Sequence, residues 1–381
     1  MNKEYNFNDN SDLDDKKDLF NAIATLTKLY TDKTHLIYEL LQNAEDCYAK
    51  CVKFVMYVDR LEMWHDGEPF DAKNLKSIRS VNQSTKSFNA IGKFGVGFKA
   101  VFCICETVEI YNEPKNFSDI SSEHLPRFAV RIDNFRTKKK ISFNKDFPKP
   151  FTTCFVFPFA ITSEGKDFLG YKNIDDLRNE LSSKLHTLSS DAILFLKNID
   201  EIKIEIIMDK GEREERLLKK SYVRNYDNVF SIDETETTYL KYSADAPNVK
   251  GKTVDLVFEV KWNDNIPEFI KPNEKHRHIF VYFPTKTESK LNFIVQAPFM
   301  TTPNRESVPS TEIDNIDLAK VAADLLEKAV LDIKERGWLT LEFLNLLPID
   351  ESYPSDWLFK PIRNKIDEMF KTTEILPTIP L

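Results

Sequence analysis

Apolar residues along this chain recur with two periods, and the changes of period mark out its elements. Residues 19–30 place them at helical spacing, and Asp32 or Thr34 can cap a second helix that carries Glu39 and Asn43. Residues 52–58 then alternate as a strand, with 60–64 as the hairpin partner. Strand-like runs follow at 107–111, 128–132 and 153–159, and a helix pattern over 174–195 closes a first domain. Beyond it alternation returns at 202–208, 216–224, 235–242, 253–261 and 278–283. That predicts a second sheet, with a long amphipathic helix over 316–335 packed on it. The tail from Trp338 is leucine-rich and helical, and its last residues, I-L-P-T-I-P-L, read as a cut end, as in one part of a larger protein. The expected layout is a loose polar segment at 1–17, domains at 18–195 and 196–337, and a helical tail at 338–381. The fold class is α+β.

Composition fits a folded protein of this size. The 381 residues suffice for two ordinary domains, and 41% hydrophobic with 12% aromatic residues can fill their cores. A net charge of −8 argues against a generic nucleic-acid surface while leaving a local basic patch open. Cys47, Cys51, Cys103, Cys105 and Cys154 are odd in number and lack zinc-like spacing, so they read as reduced, buried thiols. No apolar run reaches the roughly 18 residues a membrane span needs, and the acidic start is unlike a secretion signal. The expected compartment is the cytoplasm, without membrane contact.

Two short stretches change the picture from composition to chemistry. Residues 90–102, A-I-G-K-F-G-V-G-F-K-A-V-F, bring Gly92, Gly95 and Gly97 into a loop that runs into an apolar segment. Such glycines let backbone N–H groups approach an anion, and a following helix N-terminus adds its dipole. Residues 39–46, E-L-L-Q-N-A-E-D, set Glu39, Asn43 and Asp46 at i, i+4 and i+7 on one helix face. A carboxylate and an amide facing a phosphate loop are the parts that hold Mg²⁺, activate a water and cradle a triphosphate. No G-x-x-x-x-G-K-[ST] occurs, so this is not a P-loop arrangement.

Together these stretches resemble the GHKL superfamily of ATPases, which includes ninety-kilodalton heat-shock chaperones, gyrase B, MutL-type proteins and a sacsin-like branch. The resemblance implies a Bergerat-type α/β sandwich followed by a second, transducer-like α/β domain. It implies ATP and Mg²⁺, with Glu39 as general base, Asn43 as the magnesium contact and Asp46 as the second acidic position. The run Ile91 to Phe98 is similar to the chaperone's ATP lid, which puts Gly92, Lys93, Phe94, Gly95, Val96, Gly97 and Phe98 at the nucleotide. Ser84 and Lys86 stand where relatives carry lid residues, and Thr153 matches a nucleotide-contacting threonine. The third motif departs from the family. In L-E-M-W-H-D-G-E-P-F, residues 61–70, Gly67 and Phe70 keep the pattern, His65 takes the place of the adenine-reading aspartate and Pro69 that of the last glycine. Either His65, through a neutral imidazole nitrogen, or Asp66, through its carboxylate, can accept from the adenine amino group. The proline places the chain nearest the sacsin-like branch.

The second domain is expected to supply a cation to the γ-phosphate. Arg305, in F-M-T-T-P-N-R-E-S-V ahead of the long helix, and Lys286, in F-P-T-K-T, are the alternatives, with Arg305 favoured by the helix that follows it. His276 and His278 lack a third metal ligand nearby, and R-T-K-K-K at 136–140 reads as a solvated hairpin tip. The expected function is slow Mg-dependent ATP hydrolysis that drives lid and domain closure, chaperone-like or clamp-like, in a nucleotide-dependent homodimer. A module of a prokaryotic defence or DNA-processing system, with a protein client or effector domain, is compatible with it. The competing reading is a non-hydrolysing, nucleotide-gated dimerisation or interaction module. Glu39 favours catalysis, since a binding module needs no base. A histidine-kinase role lacks the dimerisation helix ahead of the domain.

Overall fold

The computed structural model describes residues 35–70, 101–102, 104–117, 125, 127–133, 137–159, 173–188, 190–208, 211–232, 237–247, 249, 251–263, 266–302, 306–349, 353–373 and 375. They form an α+β protein whose chain separates into two compact units, Met1–Lys219 and Lys220–Leu381. The expected helix at 19–30 and the expected lid residues, Ser84, Lys86 and the run 91–98, lie outside the described residues.

In the first unit, helix α1 (His35–Asp46) leads to strands β1 (Cys51–Met56), β2 (Arg60–His65), β3 (Thr107–Asn112), β4 (Phe128–Asp133), β5 (Thr137–Lys140) and β6 (Thr153–Pro158). Helices α2 (Ile174–Thr187) and α3 (Asp191–Leu194) and strands β7 (Glu201–Ile207) and β8 (Arg213–Tyr222) follow. The strand order is β8-β7-β1-β2-β6-β3-β4-β5, antiparallel except for the pair β1–β7. Alternation divides each strand between two faces. One carries Phe54, Met63, Phe155 and Ile110 side by side across β1, β2, β6 and β3, all buried. The other carries Val55, Trp64, Tyr111, Cys154 and Val156, and Ile141, Phe143, Phe147 and Phe151 pack over it.

Two expectations meet a different local structure. The single helix over 174–195 is broken into α2 and α3, because Leu188 is extended and the Arg216 guanidinium takes the carbonyls of Leu185, His186 and Leu188. Those carbonyls are the ones a helix C-terminus leaves over. Residues 137–140, expected as a hairpin tip, form the edge strand β5 against β4. Lysines on an edge strand discourage further pairing. The described cysteines, Cys47, Cys51, Cys105 and Cys154, are free thiols.

The second unit holds strands β9 (Val229–Ile232), β10 (Thr238–Asp245), β11 (Thr253–Asn263), β12 (Ile266–Ile270), β13 (His278–Val281), β14 (Phe283–Glu288) and β15 (Ile294–Gln296), then helices α4 (Ile313–Glu335), α5 (Leu341–Leu344) and α6 (Lys360–Thr372). The long β11 pairs β10 along its length, while its other edge is shared between β15 and β12. Val254, Leu256, Phe258 and Val260 of β11 form one core with Leu318, Ala322, Leu326 and Val330 of α4, and α6 adds Ile362 and Ile366. No described helix is long and apolar enough to cross a membrane.

Candidate functional site

Helix α1 is buried on more sides than one. Its apolar positions Leu36, Ile37, Leu40, Leu41 and Ala44 are inaccessible, but so are Glu39 at 4% exposure and Glu45 at 5%. Glutamates are rarely buried unless something holds them. For Glu45 the cause is plain: its carboxylate accepts from the backbone N–H groups of Lys197, Asn198 and Ile199 at 2.9–3.1 Å and from Asn198 Nδ2 at 3.0 Å. Glu45 thus fixes α1 to the segment that enters β7. Glu39, Asn43 and Asp46 project on a shared side of the helix, Glu39 buried and the other two half-buried.

Beyond α1 the chain turns through Tyr48, in the left-handed region at φ 58°, into β1. The turn that leaves β2 is pressed against it. Asp66 Oδ1 accepts from the N–H groups of Lys50 (2.7 Å) and Cys51 (2.8 Å), and Glu68 N–H donates to Cys47 O (2.7 Å). A Cβ at Gly67 would stand 2.4 Å from Cys47 O, so the backbone there admits only glycine. Thr152 locks the turn from the other side: its hydroxyl donates to Gly67 O at 2.6 Å, and its N–H to His65 O at 2.9 Å.

Register then brings three polar side chains into one row. His65 of β2 pairs with Thr153 of β6, which pairs with Asn112 of β3. They continue the Phe54 face of the sheet, yet their exposures are 1%, 0% and 0%. Asn112 Oδ1 accepts from Phe70 N–H (2.8 Å) and from the Thr153 hydroxyl (3.5 Å), and Phe70 meets Phe155 edge-on at 5.3 Å. The His65 ring stacks on Phe155 at 6.0 Å and 28°. Its Nδ1 accepts from Gly67 N–H at 3.2 Å. Burial pushes the His65 imidazole down to about 4, so the ring is neutral at pH 7. A neutral ring whose Nδ1 accepts carries its proton on Nε2. The nitrogen not used by the turn is therefore a donor, where the sequence reading had an acceptor in mind.

The structure thus gathers His65, Asp66, Gly67, Phe70 and Thr153 at one end of the sheet. Ser84, Lys86, Gly92, Lys93, Phe94, Gly95, Val96, Gly97, Phe98 and Arg305 lie outside the described residues. Lys286, on β14, pairs with Glu306 at 2.6 Å, and its N–H donates to Glu306 O at 2.7 Å. His276 meets the Glu259 carboxylate through Nδ1, both buried. Among the described residues no group of three or more His, Cys, Asp or Glu side chains could hold a metal ion. On the opposite, Trp64 face of the first sheet, a cavity of about 500 Å³ opens between Lys53, Tyr57, Trp64, Phe147 and Phe151. It shares no residue with the His65 row.

Sequence reasoning missed Asn112 and Thr152. A signal for Asn112 exists: Val108 and Ile110 set an apolar phase that Asn112 breaks at the strand end, as His65 does after Leu61 and Met63. Thr152 precedes its strand and has no such phase to break.

No family model matches the chain. It is 27% identical over 299 residues to Protein NO VEIN of Arabidopsis thaliana, covering 74% of this chain and 10% of that protein. It is 24% identical over 225 residues to sacsin of Homo sapiens, covering 50% of this chain and 5% of that protein. The chain therefore spans a tenth or less of the length of either relative. Among solved structures it is similar to one described as the N-terminal domain of a DNA repair protein, at TM-score 0.46 and 14% identity, over 84% of this chain and 99% of that one.

Proposed function

We propose that this chain binds Mg-ATP or a closely related nucleotide beside α1 and hydrolyses it slowly, using the closure of lid and domains as its output. The observation that carries the reading is a pair on one side of α1: Glu39, buried at the motif position, and Asn43, half-buried one turn further on. The similarity to sacsin over half of the chain supports the same reading. In this scheme Glu39 orients a water and takes its proton as the water attacks the terminal phosphate. The His65–Thr153–Asn112 row receives the base, and Phe70 closes against it.

A hard cation fits the donor set. Mg²⁺ is usually held by one or two protein oxygens together with phosphate oxygens and waters, and the half-buried Asn43 amide oxygen would supply one such contact. Bound there, the ion would offset the triphosphate's charge. Lys286 or Arg305 would do so from the second unit, in a chaperone-like or clamp-like cycle between homodimeric states.

The test is calorimetry and turnover on three proteins. Asn43→Ala should weaken Mg-ATP binding by about 1.5–3 kcal/mol. Glu39→Ala should bind as before and turn over about 100- to 10,000-fold more slowly. Wild-type protein that binds no nucleotide with Mg²⁺ present overturns the proposal. Binding without turnover assigns the non-hydrolysing switch instead.

A further inference from the structure

We propose a second ligand site, on the opposite face of the first sheet from the His65 row, that takes a quaternary ammonium group. It stands apart from the nucleotide reading, because its lining shares no residue with that row.

The site is the cavity of about 500 Å³ between β1, β2 and the segment 146–151. A volume of this order suits a small organic molecule. Register sets Lys53, Val55 and Trp64 on one face of the hairpin, Tyr57 follows in the same phase, and Phe147 and Phe151 pack over them. Phe147 meets Trp64 at 5.0 Å and 61°, and Phe151 meets it at 6.0 Å and 58°. Rings so steeply inclined wall a space rather than stack to fill it. The indole N–H is spent on Glu62 at 3.2 Å, so Trp64 offers the cavity its carbon surface and π system. Aromatic faces attract cations, and several rings around one space are the arrangement that selects quaternary ammonium groups.

Charge decides between a cation and other ligands. Lys53, the cation of the lining, is held by Glu205 at 2.6 Å. Arg60 lies 3.8 Å over the Tyr57 ring, and Lys145 stands 5.7 Å from the centre of the Trp64 ring. Both are bonded to the buried Glu62, and Arg60 to Asp59 as well. Each of these cations thus has its counter-ion. Asp146 has none: it lines the cavity, is exposed, and among the described residues its carboxylate makes no hydrogen bond or ion pair. An unpaired carboxylate beside four aromatic rings complements a cation. A quaternary ammonium fits better than a primary one, whose N–H donors an aromatic lining would leave unpaired.

Choline and two molecules of its shape test the proposal. Titration calorimetry of the full chain should find choline bound with a Kd of about 1 mM or tighter. The neutral isostere, in which a tert-butyl group replaces trimethylammonium, should bind about five- to thirtyfold more weakly, and the anion tert-butylacetate more weakly still. Asp146→Asn, at an exposed position that folding does not depend on, should weaken choline and leave the neutral isostere unchanged. Phe147→Leu, which keeps apolar bulk without a π face, should narrow the ratio between the two. A short peptide carrying trimethyllysine, titrated beside choline, tells a protein side chain from a free small molecule as the source of the group, and preferential binding of either over the isostere supports the proposal. Equal or tighter binding of the neutral isostere, tighter binding of the anion, or no saturable binding of choline by about 10 mM overturns it. A preference for choline that both substitutions leave intact also overturns it, because the cation would then be bound elsewhere.

Discussion

His65 and Gly67 stand two residues apart and fix each other's chemistry. The glycine has no room for a Cβ, and its N–H holds the imidazole in one tautomer. Burial adds a consequence for stability. The folded protein protonates His65 only near pH 4, while an unfolded chain does so near the ordinary 6.5. Between those values the unfolded state binds more protons, so the His65 contribution is complete above pH 6.5 and drains away as pH falls to 4. The loss over that window is roughly 3 kcal/mol. Urea unfolding at pH 7.5 and pH 4.5 should show it, and His65→Gln should lose correspondingly less stability between the two. An equal loss in the variant would mean that other groups carry the acid sensitivity. That Glu39 and Asn43 share one side of a helix was legible at this scale, because helical spacing shows a shared face directly. The polarity of His65 was not, since it depends on a backbone N–H whose position is set by Cys47, 20 residues earlier in the chain.

Among the elements, the loop ahead of α4 shows how a single amide organises a segment. Asn315, fully buried in the first turn of α4, accepts from Met300 N–H (2.6 Å) and donates to Met300 O (3.0 Å) and Pro309 O (2.8 Å). It ties Met300 to Pro309, and Val308 N–H donates to the Thr287 hydroxyl of β14. Lys286 is hydrogen-bonded to Glu306 through both side chain and backbone, while Arg305, its alternative in the sequence, lies outside the described residues. Asn315→Ala should cost about 1–3 kcal/mol, because it leaves three partly buried backbone groups without their partner. Asn315→Asp, which keeps the bond from Met300 N–H but sets a buried carboxylate oxygen against two carbonyl oxygens, should cost more. Thermal unfolding of both variants checks the order, and a change within about 0.5 kcal/mol for the alanine would mean that water replaces the amide. The strands that alternate over six or more residues, such as β1, β7 and β11, were readable. The short β9, β12 and β15 were not, for three to five residues carry too little period. The break between α2 and α3 was hidden too, because Arg216 makes it from 28 residues away.

At the scale of the molecule, composition gives no sign of where one unit passes into the next. The sequence reading set the change of domain at 195/196, where alternation resumes, whereas the compact units divide at 219/220, inside β8. Residues of β8 up to Lys219 pair with β7, and those from Lys220 pair with β9. A linker rich in proline or glycine is the usual mark of a boundary, and a shared strand has none. The division also sorts the tryptophans. Of four in the chain, Trp262, Trp338 and Trp357 belong to the second unit, and Trp64 is alone in the first. Trp64 precedes His65 on β2 but faces the other way, its ring 5.0 Å from Phe147 and its Nε1–H bonded to the buried Glu62 at 3.2 Å. An indole so placed emits according to the charges around it, and any ligand that draws on His65 pulls on the same two peptide units. Nucleotide titrations should therefore change the intrinsic fluorescence, and Trp64→Phe should remove that change while leaving the emission of the other three tryptophans. A signal that survives the substitution would come from the second unit, so one lamp distinguishes ligand arriving at the base-reading strand from movement elsewhere in the chain.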